Sequence, residues 1–107
     1  MRALVRGVPD SFDAAIREHF GGGHIDVGLA REQHAAYCRA LQVLGCDLVK
    51  LDPDPGFPDC CFVEDMAVVA GSTAMITHSG HPSRVGEREA VERALKAHLS
   101  KIFLIAN

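Results

Sequence analysis

FPDCCFVEDMAVV (residues 57–69) places three carboxylates, Asp59, Glu64 and Asp65, in an otherwise apolar run. A carboxylate inside a buried strand is costly in free energy unless it faces a partner, and a cationic ligand is a natural partner. The run predicts a strand over residues 61–70, and side chains alternate between the two faces of a strand. We therefore expect Glu64 and Asp65 to point to opposite faces, with Asp59 just before the strand.

The signals on either side of this run alternate between strand and helix. Asp26 is a favoured helix N-cap and Gly45 a favoured helix stop, and small or apolar residues recur between them at helical spacing. Gly71 and Ser72 predict a tight turn between two paired strands. The predicted elements are strands over 2–8, 47–51, 61–70, 73–77 and 101–105, a helix between Asp26 and Gly45, a helix over 87–99, and a loop over 79–86.

This order of elements predicts an α/β protein with helices packed outside a sheet. The second half, residues 57–107, repeats the alternation of strands and helix of the first half, residues 1–52, without obvious sequence identity. At 107 residues the chain is expected to form one domain.

Composition and charge narrow the classes of partner. The net charge of −3 argues against nucleic acid as the main partner, because no basic face is available to neutralise phosphates. No apolar run reaches the roughly 18 residues that span a membrane, and the N-terminus does not read as a signal peptide. We expect a cytoplasmic location.

The cysteines and histidines do not have the spacing of a metal site. The four cysteines, Cys38, Cys46, Cys60 and Cys61, form no C-x-x-C pair, and the six histidines are scattered. We predict reduced thiols, no metal site and no cofactor.

Residues 11–25 are polar and include three consecutive glycines, residues 21–23, which lose too much backbone entropy to sit in a helix or strand. They predict a loop, with one helical turn around Ala14 to Arg17. Two interpretations stay open, a connector and a lid over a site.

The acids and one arginine suit a particular ligand. Carboxylates match the planar fork of donors on a guanidinium group, and Arg84 could hold a ligand carboxylate in the same bidentate way. Together they suit a zwitterion with a cationic side chain, such as an arginine-like amino acid. Alternatively, Asp59 is a turn residue, and Glu64 or Asp65 forms a structural salt bridge. Candidate cations for such a bridge are Arg2, Arg6 and Arg84.

Several motifs together resemble the dimethylarginine dimethylaminohydrolases, which belong to the guanidino-group-modifying, or pentein, superfamily. The resemblance covers the chain to about Leu99. The motifs are VRGVP (5–9), QH (33–34), LVKL (48–51), FPDC (57–60), FVEDMAVV (62–69), AMIT (74–77) and PSR (82–84).

The resemblance implies a fold, an activity and a set of roles. The fold would be a five-bladed α/β propeller of ββαβ modules, of which this chain holds about two. The activity would be hydrolysis of methylated arginine to citrulline and dimethylamine. By position, the substrate-binding residues would be Asp59, Phe62, Glu64, Asp65 and Arg84, with Arg84 on the substrate carboxylate. Ile16 and Arg17 would correspond to a lid that offers a backbone contact.

The resemblance also implies a catalytic cysteine and histidine farther downstream, in modules that we expect this chain to lack. None of the four cysteines occupies the position of the nucleophile. The first hypothesis is therefore a substrate-binding part of the hydrolase that is not catalytic alone. The second is a binding or assembly module that forms a homodimer or completes a split enzyme with a C-terminal chain, because two modules leave sheet edges unpaired. A third is an unrelated α/β domain whose acids are structural.

Overall fold

The chain folds as two units, Met1–Cys61 and Phe62–Asn107. The structure is a computed structural model that describes residues 1–16 and 24–105. Each unit combines β-strands with one α-helix, so the α/β class predicted from the order of elements is confirmed. Within the described residues, no helix has both the length and the apolar character needed to cross a membrane.

The first unit contains two parallel strands joined through a helix. Strand β1 (Arg2–Arg6) pairs with β2 (Asp47–Leu51) in a register that runs from Arg2↔Asp47 to Arg6↔Leu51. Parallel neighbours cannot be joined by a tight turn and need a crossover. Helix α1 (Val27–Val43) provides it. Val5 and Cys38 are buried in this unit.

Both ends of α1 are set by the residues that the sequence indicated. The Asp26 side chain accepts a 3.0 Å hydrogen bond from the Leu29 amide, which satisfies one of the unpaired donors of the first turn. At the other end Gly45 has a φ of +94°. The amides of Gly45 and Cys46 donate to the carbonyls of Gln42 and Leu41, each at 3.0 Å. This is a Schellman cap, which requires a left-handed residue.

The second unit is a ββαβ module. Strands β3 (Ala67–Ala70) and β4 (Thr73–Ile76) form an antiparallel hairpin, and β5 (Lys101–Leu104) lies parallel to β4. Helix α2 (Arg88–His98) connects β4 to β5. The predicted hairpin turn is confirmed, with Gly71 at a φ of +59°.

The core of the second unit lies between α2 and the sheet. Val91 and Leu95 of α2 are buried, as are Ala74 and Ile76 of β4. Ala74 and Ile76 lie two positions apart and therefore share one face of the strand. Helix α2 thus covers this face of the sheet.

The predicted strand over residues 61–70 is wrong in its first half. Only Ala67–Ala70 is a strand, and Val63–Asp65 is a short 3-10 helix. The amide of Asp65 donates to the Phe62 carbonyl at 3.3 Å, and that of Met66 donates to the Val63 carbonyl at 3.0 Å. These local bonds take the place of a strand ladder. Glu64 and Asp65 therefore lie on an exposed turn and do not alternate across a sheet.

Two further short helices differ from the sequence prediction. A 3-10 helix covers Asp10–Ala14, so the turn expected around Ala14 lies earlier in the chain, and Arg17 falls outside the described residues. A second 3-10 helix covers Pro82–Glu87, where a loop was predicted. Its N-cap is His81, whose Nδ1 accepts a hydrogen bond from the Ser83 amide at 3.3 Å. Pro82 suits the first helical position because it has no amide hydrogen to satisfy.

Candidate functional site

Asp59 lies in a turn of the first unit and is only 5% exposed. Its Oδ1 accepts a 3.0 Å hydrogen bond from the backbone amide of Ile16. A buried carboxylate gains from such a bond, because burial without a donor is costly. Ile16 is the last residue described before the segment 17–23, which contains Arg17. Of the two predicted lid residues, Ile16 is thus held by a predicted site residue, and Arg17 lies outside the described residues.

Arg84, in the second unit, is the most densely bonded side chain of the candidate set. Its Nε donates to Glu87 Oε2 at 2.9 Å, and its Nη2 donates to Glu87 Oε1 at 2.8 Å. Its Nη1 donates to Asp65 Oδ2 at 2.7 Å. Glu87 is 1% exposed. The fork of Arg84 therefore meets one buried carboxylate in a bidentate pair and a second carboxylate nearer the surface.

The two carboxylates also fix the charge of Arg84. The hydrogen bond to Glu87 raises the pKa of Arg84 above its ordinary value. Burial acts in the opposite direction, and the hydrogen bond to Asp65 raises the pKa again. The net direction is upward, so the guanidinium group stays charged throughout the ordinary pH range.

Arg84 and Thr77 together hold in place the acidic turn, which comprises residues 62–65. Arg84 Nη2 donates to the Phe62 carbonyl at 3.1 Å. The Thr77 hydroxyl donates to the Asp65 carbonyl at 2.6 Å, and the Thr77 amide donates to the Met66 carbonyl at 2.9 Å. The turn is therefore anchored at its first residue, at its last residue and at the residue that follows it.

The side chains of this turn face solvent although its backbone is anchored. The Asp65 side chain is 57% exposed while it contacts Arg84. Glu64 is exposed and makes no hydrogen bond or ion pair with any other residue that the structure describes. Phe62 is exposed at the start of the turn. Successive residues of a 3-10 helix are rotated by about 120°, so the two carboxylates project in different directions from one short support.

The structure brings together only part of the predicted set. Asp65 and Arg84 are in contact, Glu64 is next to Asp65, and Phe62 contributes its carbonyl to Arg84. One alternative from the sequence, a salt bridge between Asp65 and Arg84, is therefore present. The role of Arg84 in holding a ligand carboxylate stays a prediction.

Glu87 was not predicted as part of this arrangement. Sequence reasoning placed it only at the start of the second helix. A usable signal was its spacing from Arg84, because side chains three residues apart in a helix lie on the same face. The helical conformation of Pro82–Glu87, which makes that spacing effective, was not expected.

Comparison with known proteins finds relatives of this chain, although no family model matches it. The chain is 45% identical over 95 residues to the dimethylarginine dimethylaminohydrolase of Pseudomonas aeruginosa. This match covers 89% of this chain and 34% of the relative. It is 38% identical over 94 residues to the enzyme of the same name from Streptomyces coelicolor, covering 88% of this chain and 36% of the relative. The chain is related to the N-terminal part of the dimethylarginine dimethylaminohydrolases.

Solved structures of dimethylarginine dimethylaminohydrolases agree with this relationship. The enzyme from Pseudomonas aeruginosa, as a cysteine-to-serine mutant complexed with citrulline, matches with a TM-score of 0.91 and 36% identity. The match covers 96% of this chain and 40% of that one. Unliganded AgrE matches with a TM-score of 0.81 at 19% identity, which shows a shared fold and nothing more. The pentein-like α/β fold implied by the sequence motifs is thus confirmed.

The extent of the match limits what it says about activity. The chain spans about a third of the length of the curated dimethylarginine dimethylaminohydrolases that it matches, 34% and 36% in the two cases. For this chain, the reaction, the substrate and the assembly of those enzymes are therefore proposals.

Proposed function

We propose that this chain provides substrate-recognition residues of a dimethylarginine dimethylaminohydrolase-like protein, and that Glu64 and Asp65 bind the guanidinium group of a methylated arginine. The observation that carries the proposal is that Asp65 is bonded to Arg84 and is still exposed to solvent. Its carboxylate is held by Arg84 at 2.7 Å, yet the side chain remains 57% exposed. The exposed portion is available to a second cation.

The chemistry of the turn supports this ligand. A guanidinium group offers a planar set of N–H donors, and hydrogen bonds in which both groups are charged are about twice as strong as neutral ones. The backbone that carries Glu64 and Asp65 is already anchored by Arg84 and Thr77. Little backbone entropy is then lost when the ligand binds.

Arg84 and Asp59 take supporting roles in this proposal. The bidentate pair with Glu87 and the contact with Asp65 favour Arg84 as a positioning residue for the acidic turn. The bond from Ile16 favours Asp59 as an anchor for the chain that enters the segment 17–23. Direct substrate contacts by Asp59, Phe62 and Arg84, and the lid role of Arg17, stay predictions from the resemblance.

We propose no turnover by this chain alone. The family resemblance assigns the nucleophilic cysteine and its histidine to modules beyond the part that the chain matches. A covalent mechanism needs a thiolate within hydrogen-bond reach of a base. Binding without hydrolysis is therefore the expected behaviour of the purified chain.

The experiment is a calorimetric titration of the chain with asymmetric dimethylarginine. We expect saturable binding that is weakened about tenfold in Glu64→Gln, since one charge-assisted hydrogen bond is lost. Glu64 makes no bond to another described residue, so this variant should keep the fold. Glu89→Gln, an exposed acid in the first turn of α2, is the matched control and should bind like the parent. Equal binding by Glu64→Gln and the parent chain would overturn the assignment of Glu64.

A second candidate function is assembly. Val68, Met75 and Phe103 are exposed and lie opposite one another on adjacent strands, with Val68 paired to Met75 and Met75 paired to Phe103. They form an apolar row on the face of the sheet that α2 does not cover. Because the chain matches about a third of its relatives, a C-terminal chain that supplies the remaining modules is the favoured occupant. A second copy of this chain is the other occupant.

Complementation tests the assembly candidate. The chain is mixed with the remaining C-terminal part of the Pseudomonas aeruginosa relative, and hydrolysis of dimethylarginine is followed. We expect activity that depends on both parts and that is lost in Met75→Asp, which puts a charge into the centre of the apolar row. Lys50→Asp, at an exposed position of β2, serves as the control. Activity that survives Met75→Asp would exclude this face as the contact.

A further inference from the structure

A cleft in the first unit is lined by three elements of its fold. Helix α1, the end of β2, and β1 with the residues after it enclose about 490 Å³, a volume typical of small-molecule sites. The apolar part of the lining includes Val8, Leu51 and Pro53. All the lining residues belong to the unit Met1–Cys61. The cleft thus uses none of the residues of the acidic turn that are proposed to bind a guanidinium group.

The side of α1 that lines the cleft carries two arginines on either side of a gap. Arg31, Ala35 and Arg39 all line the cleft, and they lie four residues apart, so they share one side of the helix. At 1.5 Å per residue, the two arginines are about 12 Å apart along the helix axis. Because Ala35 carries only a methyl group, the space between the two arginines is open to a ligand.

The charge of the cleft is opposite to that of the chain. Arg31, Arg39 and Lys50 line it together with one carboxylate, Asp52, which leaves an excess of two positive charges when histidine is counted as neutral. The whole chain, in contrast, has a net charge of −3. Cations gathered at a concave surface raise the local concentration of anions. The cleft therefore favours an anionic ligand.

Two of these three cations have no anion assigned to them. Arg39 and Lys50 are exposed, and neither forms an ion pair with any other residue that the structure describes. Arg31 differs, because it is paired with Asp10 and its Nε donates to the Val8 carbonyl at 3.3 Å. Arg31 is thus held by its neighbours, whereas Arg39 and Lys50 are available to an anion from outside the chain.

We propose that this cleft binds a small organic anion, whose carboxylate or phosphate group meets Arg39 and Lys50 while its apolar body packs against the apolar lining. The planar fork of a guanidinium group suits either oxyanion, because both offer two oxygens to its donors. The two cations are exposed, so the binding is expected to be weak, in about the millimolar range, and to weaken further with salt. The proposal does not depend on binding of dimethylarginine.

The test is a titration of the isotope-labelled chain with phenyl phosphate, followed by two-dimensional NMR of the backbone amides. Benzoate replaces the phosphate by a carboxylate, and phenol keeps the ring without the anion. We expect saturable shifts at Ala35, Arg39 and Lys50 with phenyl phosphate or benzoate, and the tighter of the two identifies the preferred oxyanion. Phenol should bind at least about fivefold more weakly, since it lacks the charge that the cations attract.

Two matched pairs of variants locate the site. Ala35→Leu fills the gap and should abolish binding, whereas Ala36→Leu, at an exposed position of α1 outside the lining, should bind like the parent chain. Arg39→Gln should weaken binding about fivefold, because one exposed charge contact is lost. Arg93→Gln, which removes an exposed cation of α2, should leave binding unchanged. Amide spectra recorded without ligand check that each variant keeps its fold.

Several results would overturn the proposal. One is the absence of saturable shifts with both anions up to about 20 mM, a range that detects millimolar binding. Others are shifts confined to residues outside the lining, or binding of phenol as tight as that of the anions. Unchanged binding by Ala35→Leu or Arg39→Gln, or an equal loss in their controls, would overturn it as well.

Discussion

The backbone amide of Ile16 donates a 3.0 Å hydrogen bond to Oδ1 of Asp59, 43 residues later in the chain. This bond ties the last described residue before segment 17–23 to the turn that leads into the second unit. Asp59 is 5% exposed, so the bond is protected from competing water. Asp59 thereby has a structural role that is independent of any ligand.

Replacement of Asp59 should therefore loosen the chain around Ile16. We expect Asp59→Ala to cost about 1.5–3 kcal/mol in the free energy of unfolding, the range for a hydrogen bond to a charged group. The Ile16 amide should also exchange with solvent faster, which hydrogen exchange followed by NMR measures. Asp54→Ala is the control, because the Asp54 side chain accepts a local 2.8 Å bond from the amide of Gly56, two residues later in an exposed turn. Unchanged exchange at Ile16 in Asp59→Ala would contradict this account.

The pair of Arg84 with Glu87 should dominate the stability of the second unit. We expect Glu87→Gln to cost about 3 kcal/mol in urea denaturation, because it leaves a buried guanidinium with one carboxylate fewer. Glu92→Gln is the matched control, since Glu92 pairs with the exposed Lys96 at 3.1 Å and should cost less than about 1 kcal/mol. Similar costs for the two variants would show that the buried pair contributes no more to the free energy of unfolding than the exposed pair.

The direction of the Arg84 pKa shift gives a pH dependence. The pKa of Arg84 is raised in the folded state, first by Glu87. A group with a raised folded pKa adds stability that is fully present below its unfolded pKa and is lost only as the pH rises through the folded value. Arg84 should therefore cause no loss of stability at moderately alkaline pH. A stability decrease there that disappears in Arg84→Met would contradict the shift.

The hairpin between β3 and β4 depends on a glycine. Gly71 has a φ of +59°, which an L-residue with a Cβ adopts at a cost, so Gly71→Ala should destabilise by about 1 kcal/mol. Gly80→Ala is the control, because its φ is not positive and a Cβ there meets nothing within 4 Å. Thermal unfolding of both variants measures the difference. Equal melting temperatures would show that the turn tolerates a side chain.

The cysteines should differ in reactivity according to burial. Cys60 is 1% exposed and its Sγ lies 3.9 Å from the Gly7 carbonyl and 3.8 Å from the Asp54 carbonyl. Cys46 is partly exposed. Alkylation followed by mass spectrometry should modify Cys46 in the folded chain and Cys60 only on unfolding. Rapid alkylation of folded Cys60 would contradict the packing.

The elements that the sequence predicted well are those set by neighbouring residues. Helix α1 begins after Asp26 and ends before Gly45 because a side-chain oxygen and a left-handed residue satisfy its terminal groups locally. The hairpin turn at Gly71 is local for the same reason. Signals of this kind are complete within a few residues of sequence.

The acidic turn was mispredicted because its determinants are distant. Residues 61–70 are rich in strand formers, and propensity alone favours a strand. The turn at Glu64 and Asp65 is instead held by Arg84, 19 residues after Asp65, and by Thr77, 12 residues after it. Tertiary bonds of this kind override local preference, whereas the grouping of the acids with Arg84 in the sequence did indicate a shared ligand.

The measurement that tests the central claim most directly compares the binding of asymmetric dimethylarginine and citrulline to the same chain by calorimetry. The two ligands share an amino-acid backbone, but only dimethylarginine carries a cationic guanidinium group. If Glu64 and Asp65 recognise that cation, dimethylarginine should bind at least about tenfold more tightly than citrulline, and the preference should shrink in Glu64→Gln. Equal affinity for the two ligands, or no binding of either, would contradict the claim that this turn recognises a guanidinium group.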